Sequence, residues 1–228
     1  MEETKQAQLT EGPIGRTLIR LTIPMLIAVL TMVAFNLVDT AFIGRLGTSE
    51  LAAISFTFPV VLVISSLAQG LGVGASAVIS RAIGRGDRYR VQRLTTDSLA
   101  LALIVVVFFV VIGLSTIDPL FGLLGATPEL LPLIRQYMML WYIGVIFVVI
   151  PMVGNAAIRA TGDTKTPAII MMVAAGVNIV LDPLRIFGLG IVPGLGLTGA
   201  ALAPVVARAT TMIASLWVLT RRERMLIW

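Results

Sequence analysis

The chain has 228 residues, of which 57% are hydrophobic and only 13% charged, with a mean hydropathy of +0.99. A soluble domain carries about 25% charged residues, so this chain is too apolar for a water-exposed globule and far too apolar for disorder. With no Cys and no His there is no disulfide framework, zinc hydrolase or Ser-His-Asp chemistry, and the net charge of +5 is assigned to arginine-rich loops rather than to nucleic acid.

The N-terminal run MEETKQAQLTEGPIGR is polar and acidic and lacks the apolar core of a cleaved signal peptide. Long apolar stretches follow at about 17–44, 51–80, 98–123, 131–158, 166–190 and 197–220. Each can cross a hydrocarbon core of about 30 Å, and none shows the two-residue alternation of a membrane β-barrel. The predicted fold is therefore all-α: a six-transmembrane-helix bundle forming a single membrane domain over residues 1–228.

The breaks are polar or rich in turn formers. Arg45 to Glu50 closes the first stretch, the arginine-rich run Gly84 to Arg93 the second, and Asp118 to Pro132 the third. Thr161 to Pro167 follows the fourth, and the glycine-rich Gly188 to Gly196 the fifth. With both termini placed inside, 13 of the 17 basic residues fall on the inner side, and only Arg45, Arg135 and Arg185 fall outside. That asymmetry predicts a multi-pass protein of a prokaryotic cytoplasmic membrane, with cytoplasmic termini.

Two carboxylates interrupt apolar stretches: Asp39, three residues after Asn36, and Asp182, four residues after Asn178. A charge within the bilayer costs about 2.5–3.5 kcal/mol on insertion scales, and helical spacing puts each acid on the same face as its amide. Such a pair can ligate Na⁺ through oxygens or carry a proton on a desolvated carboxyl. The residue types leave both choices open. Pro24 lies inside the first stretch and can bend it. The run Gly70 to Ala77 supplies small residues for close helix packing. Tyr137, Met138, Trp141, Tyr142 and Phe147 gather on the fourth stretch, where aromatic and Met side chains suit either an interface or a pocket for lipophilic cations.

Several segments together resemble the multidrug and toxic compound extrusion (MATE) family. They are Pro24, then Val38-Asp39-Thr40-Ala41-Phe42-Ile43-Gly44-Arg45-Leu46-Gly47 with Glu50-Leu51-Ala52-Ala53, then Gly70 to Ala75 with Arg81-Ala82-Ile83-Gly84-Arg85-Gly86-Asp87. Ala160 to Pro167 and Leu181-Asp182-Pro183-Leu184 complete the set in matching order. The resemblance, nearest to the DinF-like and archaeal branches, implies an antiporter and not an enzyme. It would export drug-like, mostly cationic organic compounds against entry of H⁺ or Na⁺, with no cofactor. The family has two six-helix lobes around a central cleft, and this chain is similar to the N-terminal lobe. Carried over by position, Asp39 and Asp182 match the ion-coupling acids, and Asn178, Asn155 and Tyr137 match polar residues of the same cavity. Asn36 joins the acids through its spacing from Asp39, and Asp39, Asp182 and Asn178 would be the ligands if the coupling ion is Na⁺. Tyr137, Met138 and Trp141 would face substrate, and Pro24 would be the hinge.

Three features set this chain apart from the family pattern. Arg185 stands three residues after Asp182, where it could hold that acid ionised, and Pro204 replaces a common hydroxyl residue. The length accommodates one lobe, so the implied partners are the bilayer, organic cations, and either a second copy or a second lobe. The alternatives are a non-transporting remnant or assembly partner of a truncated gene, and a flippase for lipid-linked oligosaccharides. For a flippase, Arg185 and Arg208 are the candidate cavity cations.

Overall fold

The computed structural model describes residues 14–44, 47–186 and 196–227. Its helices are α1 (Ile14–Gly44), α2 (Thr48–Gly84), α3 (Arg88–Leu123), α4 (Leu131–Gly144), α5 (Ile146–Ala160), α6 (Lys165–Ile186) and α7 (Gly196–Trp217), and a π-helical turn, Val218–Arg222, ends α7. No strand occurs among the described residues.

Three helical stretches among the described residues are long and apolar enough to cross a membrane: Leu51–Gly84, Arg88–Leu123 and Leu131–Ala160. Their outer faces show why water is the wrong solvent. Ile104 and Phe108 of α3 are 67% and 59% exposed, and Leu30 and Leu37 of α1 are 67% and 68% exposed. Large apolar side chains left uncovered along whole helices imply lipid as the surrounding medium. This is a multi-pass membrane protein.

Helix boundaries depart from the apolar stretches for physical reasons. α3 begins at Arg88 rather than at 98, because Asp87 caps it: the carboxylate Oδ1 accepts the Arg90 N–H at 2.9 Å. Gly86, at φ +71°, supplies the left-handed residue that lets α2 turn into α3. The fourth stretch is two helices, broken at Val145 and followed by Pro151. Proline has no N–H for the Phe147 carbonyl, so the ladder is already weakened one turn after the break.

α5 is the central helix, packed against α2, α3 and α7. Its residues Val149, Ile150, Pro151 and Val153 to Ile158 are all buried. Of the glycines in the small-residue run of α2, Gly72 makes the close approach: a Cβ there would lie 3.3 Å from the Ala156 Cβ of α5, whereas Gly70 and Gly74 face open space. α1 packs mainly on α6.

The arginine-rich end of the bundle is tied by polar contacts. Asp163, in the turn between α5 and α6, accepts the Thr166 N–H at 3.0 Å and the Thr166 hydroxyl at 2.5 Å. Arg222 reaches it from the end of α7, at 3.3 Å from Asp163 Oδ2, and donates to the Thr166 hydroxyl at 2.6 Å. Beyond, Gln92 donates to the Arg224 carbonyl at 2.9 Å and the Ile227 N–H to the Thr96 hydroxyl at 3.1 Å, folding the last residues back onto α3. At the opposite end Arg135 of α4 pairs with Asp118 of α3.

Candidate functional site: a cavity inside the bundle

A cavity of about 770 Å³ lies among α1, α2, α5, α6 and α7. α5 supplies its most regular wall. Phe147, Pro151, Asn155 and Arg159 recur every fourth residue, one stripe down the helix. Ala68, Gly72 and Ser76 make the same stripe on α2. Met25 and Val29 of α1, Met171 of α6, and Arg208 and Thr211 of α7 close the remaining sides. The volume falls within the usual range for organic ligands of about 300–1,000 Å³.

The lining is mostly apolar, with a few convergent polar groups. Gln69, Ser76, Asn155 and Thr211 can hydrogen-bond, and Arg159 and Arg208 are the cations. Asn155 is 5% exposed, and its carbonyl Oδ1 has no hydrogen-bond partner. A buried acceptor without a donor costs about 1–3 kcal/mol, so this oxygen suits a ligand N–H or O–H. Among the described lining residues there is no Asp or Glu.

The expected site residues distribute unevenly. Asn155 is in the cavity wall. Pro24 lies inside α1, half-buried, next to the cavity residue Met25. α1 carries Asn36 and Asp39, and α6 carries Asn178, Asp182 and Arg185, but these side chains lie outside the described part of the structure.

Tyr137, Met138 and Trp141, expected to face substrate, do not line this cavity. Met138 is fully buried in the hydrophobic core, and Tyr137 and Trp141 pack against that core from its margin. The reason is the stripe Ile134, Met138 and Tyr142, one residue per turn, which α4 buries against its neighbours. Trp141 then meets the Tyr142 ring edge-on, with centroids 5.7 Å apart. Of that aromatic group, only Phe147, beyond the break at Val145, lines the cavity.

Arg159 is the cavity residue that the sequence reading missed. It lies just beyond the fourth apolar stretch, and its four-residue spacing from Asn155 is the signal that joins it to the cavity stripe.

Comparison with known proteins decides the family. The family model described as MatE matches residues 24–184. The chain belongs to the MatE family. MatE proteins are membrane transporters rather than enzymes. The FAD transporter of Shewanella oneidensis is 46% identical over 96% of this chain and 48% of its own length. The multidrug export protein MepA of Staphylococcus aureus is 29% identical over 93% of this chain and 47% of its own. An outward-facing structure of a multidrug resistance MATE family transporter superposes with a TM-score of 0.88 at 35% identity, covering 99% of this chain and 49% of that one. This MatE chain thus spans about half the length of the relatives it matches and corresponds to one lobe.

Proposed function

We propose that the chain forms one lobe of an ion-coupled exporter of drug-sized organic compounds in the cytoplasmic membrane of a prokaryote. The observation that carries this reading is the cavity of about 770 Å³ enclosed by helices whose outer faces are apolar and uncovered. The cavity would hold the cargo, and the lipid-facing exterior would fix the lobe in the bilayer. The two named relatives are a multidrug export protein and an FAD transporter, so movement of an organic molecule across a membrane is what both support. The drug-like cations implied by the resemblance are one cargo class within it.

Asp39 and Asp182, backed by Asn36, Asn178 and Asn155, are the proposed coupling groups for H⁺ or Na⁺. Neutralising acids within the bilayer changes which packing of α1 and α6 is favoured, by no more than the ion's differential affinity for the two states. Pro24 is the proposed point of bending in α1. The clustering of arginines at the end where α2 meets α3 supports cytoplasmic termini.

Dye efflux from cells expressing the protein, with H⁺ and Na⁺ gradients imposed separately, tests this reading. Asp39→Asn is expected to abolish gradient-driven efflux while membrane insertion persists. Efflux at the wild-type rate in that variant overturns the coupling assignment.

A further inference from the structure

We propose that the arginine-rich end of the bundle seats the headgroup of an anionic phospholipid, held by Arg90 and Arg93 of α3. The seat lies on the outside of the helices, away from the cavity. It stands on the membrane placement of the fold and not on the exporter reading.

The face comes first. Arg90, Arg93, Asp97, Leu101, Ile104 and Phe108 recur along α3 at intervals of three or four residues, so they form one stripe down the helix. All six are exposed, and Leu101, Ile104 and Phe108 are each more than half uncovered. In a bilayer the apolar part of this stripe is clad by acyl chains. Eleven residues separate Ile104 from Arg93, a rise of about 16 Å. That is close to half of a hydrocarbon core of about 30 Å. A phospholipid lying along Ile104 and Leu101 therefore brings its phosphate level with Arg93, with Arg90 one turn further out. Tyr89, also exposed, stands beside them at the depth where interfacial aromatics sit.

Charge comes second. Arg81, Arg85, Arg88, Arg90 and Arg93 fall within one short run across the α2–α3 turn, and all are exposed. Two acids share this stretch. Asp87 accepts the Arg90 backbone N–H as the α3 cap, and Asp97 lies 3.8 Å from Arg93. The guanidinium groups of Arg81, Arg85, Arg88 and Arg90 make no ion pair among the described residues. Gln92 donates to the Arg224 carbonyl, which holds exposed Arg224 alongside the start of α3. Like charges gathered this closely repel, and a negative headgroup layer relieves the repulsion. The planar donor fork of Arg also fits two phosphate oxygens at once. A zwitterionic headgroup cancels its phosphate with its own ammonium, and a soluble anion finds the charge without the apolar stripe. An anionic lipid uses both.

The chain has no Cys, so bimane on Leu101→Cys reports this face alone, and bimane on Val111→Cys reports the same helix farther from the arginines. Each labelled protein, in phosphatidylcholine nanodiscs, receives increasing fractions of phosphatidylglycerol or phosphatidylcholine spin-labelled high on one chain. At Leu101→Cys, phosphatidylglycerol is expected to quench at an about fivefold lower fraction, the factor that one basic residue supplies at an anionic surface. At Val111→Cys the two lipids should match. The double variant Arg90→Gln, Arg93→Gln should lose most of the preference, and Arg90→Lys, Arg93→Lys should keep more of it. Equal quenching by the two lipids at Leu101→Cys, or an unchanged preference in the double Gln variant, overturns the proposal. If the double Gln variant is not recovered folded, Asp97→Asn and a salt titration decide. The preference should rise when Arg93 loses its partner and fall with salt, and failure of either overturns the proposal. Inorganic phosphate added at matched ionic strength separates a headgroup from a soluble anion. Loss of the preference would assign the arginines to soluble phosphate and overturn the lipid seat, whereas no loss supports it. Quenching is read without an ion gradient, so absent dye efflux leaves this seat standing, and equal quenching leaves the exporter reading standing.

Discussion

Substituting Gly113 by Ala should destabilise the bundle even though Ala is the better helix former. Gly113 is buried in α3, and a Cβ built there falls onto the ring of Tyr142, lying 2.7 Å from its Oη, well inside ordinary contact. Tyr142 is 1% exposed and bounded on one side by Trp141, so the ring has little room to retreat. Overpacking of this kind costs about 1–3 kcal/mol, and the gain from replacing a mid-helix Gly returns about 0.5–1 kcal/mol. The net expectation is a loss of roughly 0–2.5 kcal/mol. Gly70 and Gly74 of α2 have no neighbour within 4 Å of such a Cβ, so Ala at either should be neutral or stabilising. Thermal unfolding in one detergent, read by tryptophan fluorescence, ranks the three variants. A cycle with Tyr142→Leu should show the Gly113→Ala penalty shrinking once the ring is gone. If Gly113→Ala proves as well tolerated as Gly74→Ala, the α3–α4 packing described here is wrong.

Other predictions concern the polar tie and the cavity. At Asp163, burial pulls the carboxyl upward, but hydrogen bonds from Thr166, the Arg222 charge and the Lys165 N–H outweigh it and hold the group below its ordinary range. A depressed folded value means that the carboxylate stabilises above its unfolded value of about 3.9 and loses this as pH falls through the folded value. Wild type should therefore exceed Asp163→Asn by about 1 kcal/mol at neutral pH, with the gap closing in acid. Unfolding of both across pH checks this, and a gap that widens in acid contradicts it. Asn155→Leu, which removes an orphaned acceptor, should leave stability unchanged or raise it by about 1 kcal/mol, yet weaken ligand binding. Lower thermal stability with full binding would place Asn155 in a structural role instead. Ser76→Trp should fill the cavity from α2 and block efflux while the protein still elutes as one folded species, and unhindered efflux would remove this cavity from the pathway.

Composition carries the all-α membrane architecture, because lipid leaves helices as the only spanning element that an apolar, non-alternating chain can form. Boundaries are less legible. The start of α3 lies in a run whose arginines look like loop, and only the cap at Asp87 reveals a helix. The break at Val145 is invisible, since a valine within an apolar run carries no turn signal. Cavity membership follows packing rather than residue type. Met138 suits a pocket chemically, but its four-residue spacing from Ile134 and Tyr142 marks a core stripe. Arg159 falls beyond the end of the apolar stretch at 131–158, yet the same spacing rule joins it to Phe147, Pro151 and Asn155.

Flux of an organic substrate in proteoliposomes, driven in turn by a proton and a sodium gradient and compared between wild type and Asp39→Asn, tests the exporter account most directly. Flux is expected under at least one of the two gradients and is expected to be lost in the variant. Flux that ignores both gradients, or persists undiminished without the Asp39 carboxylate, contradicts it.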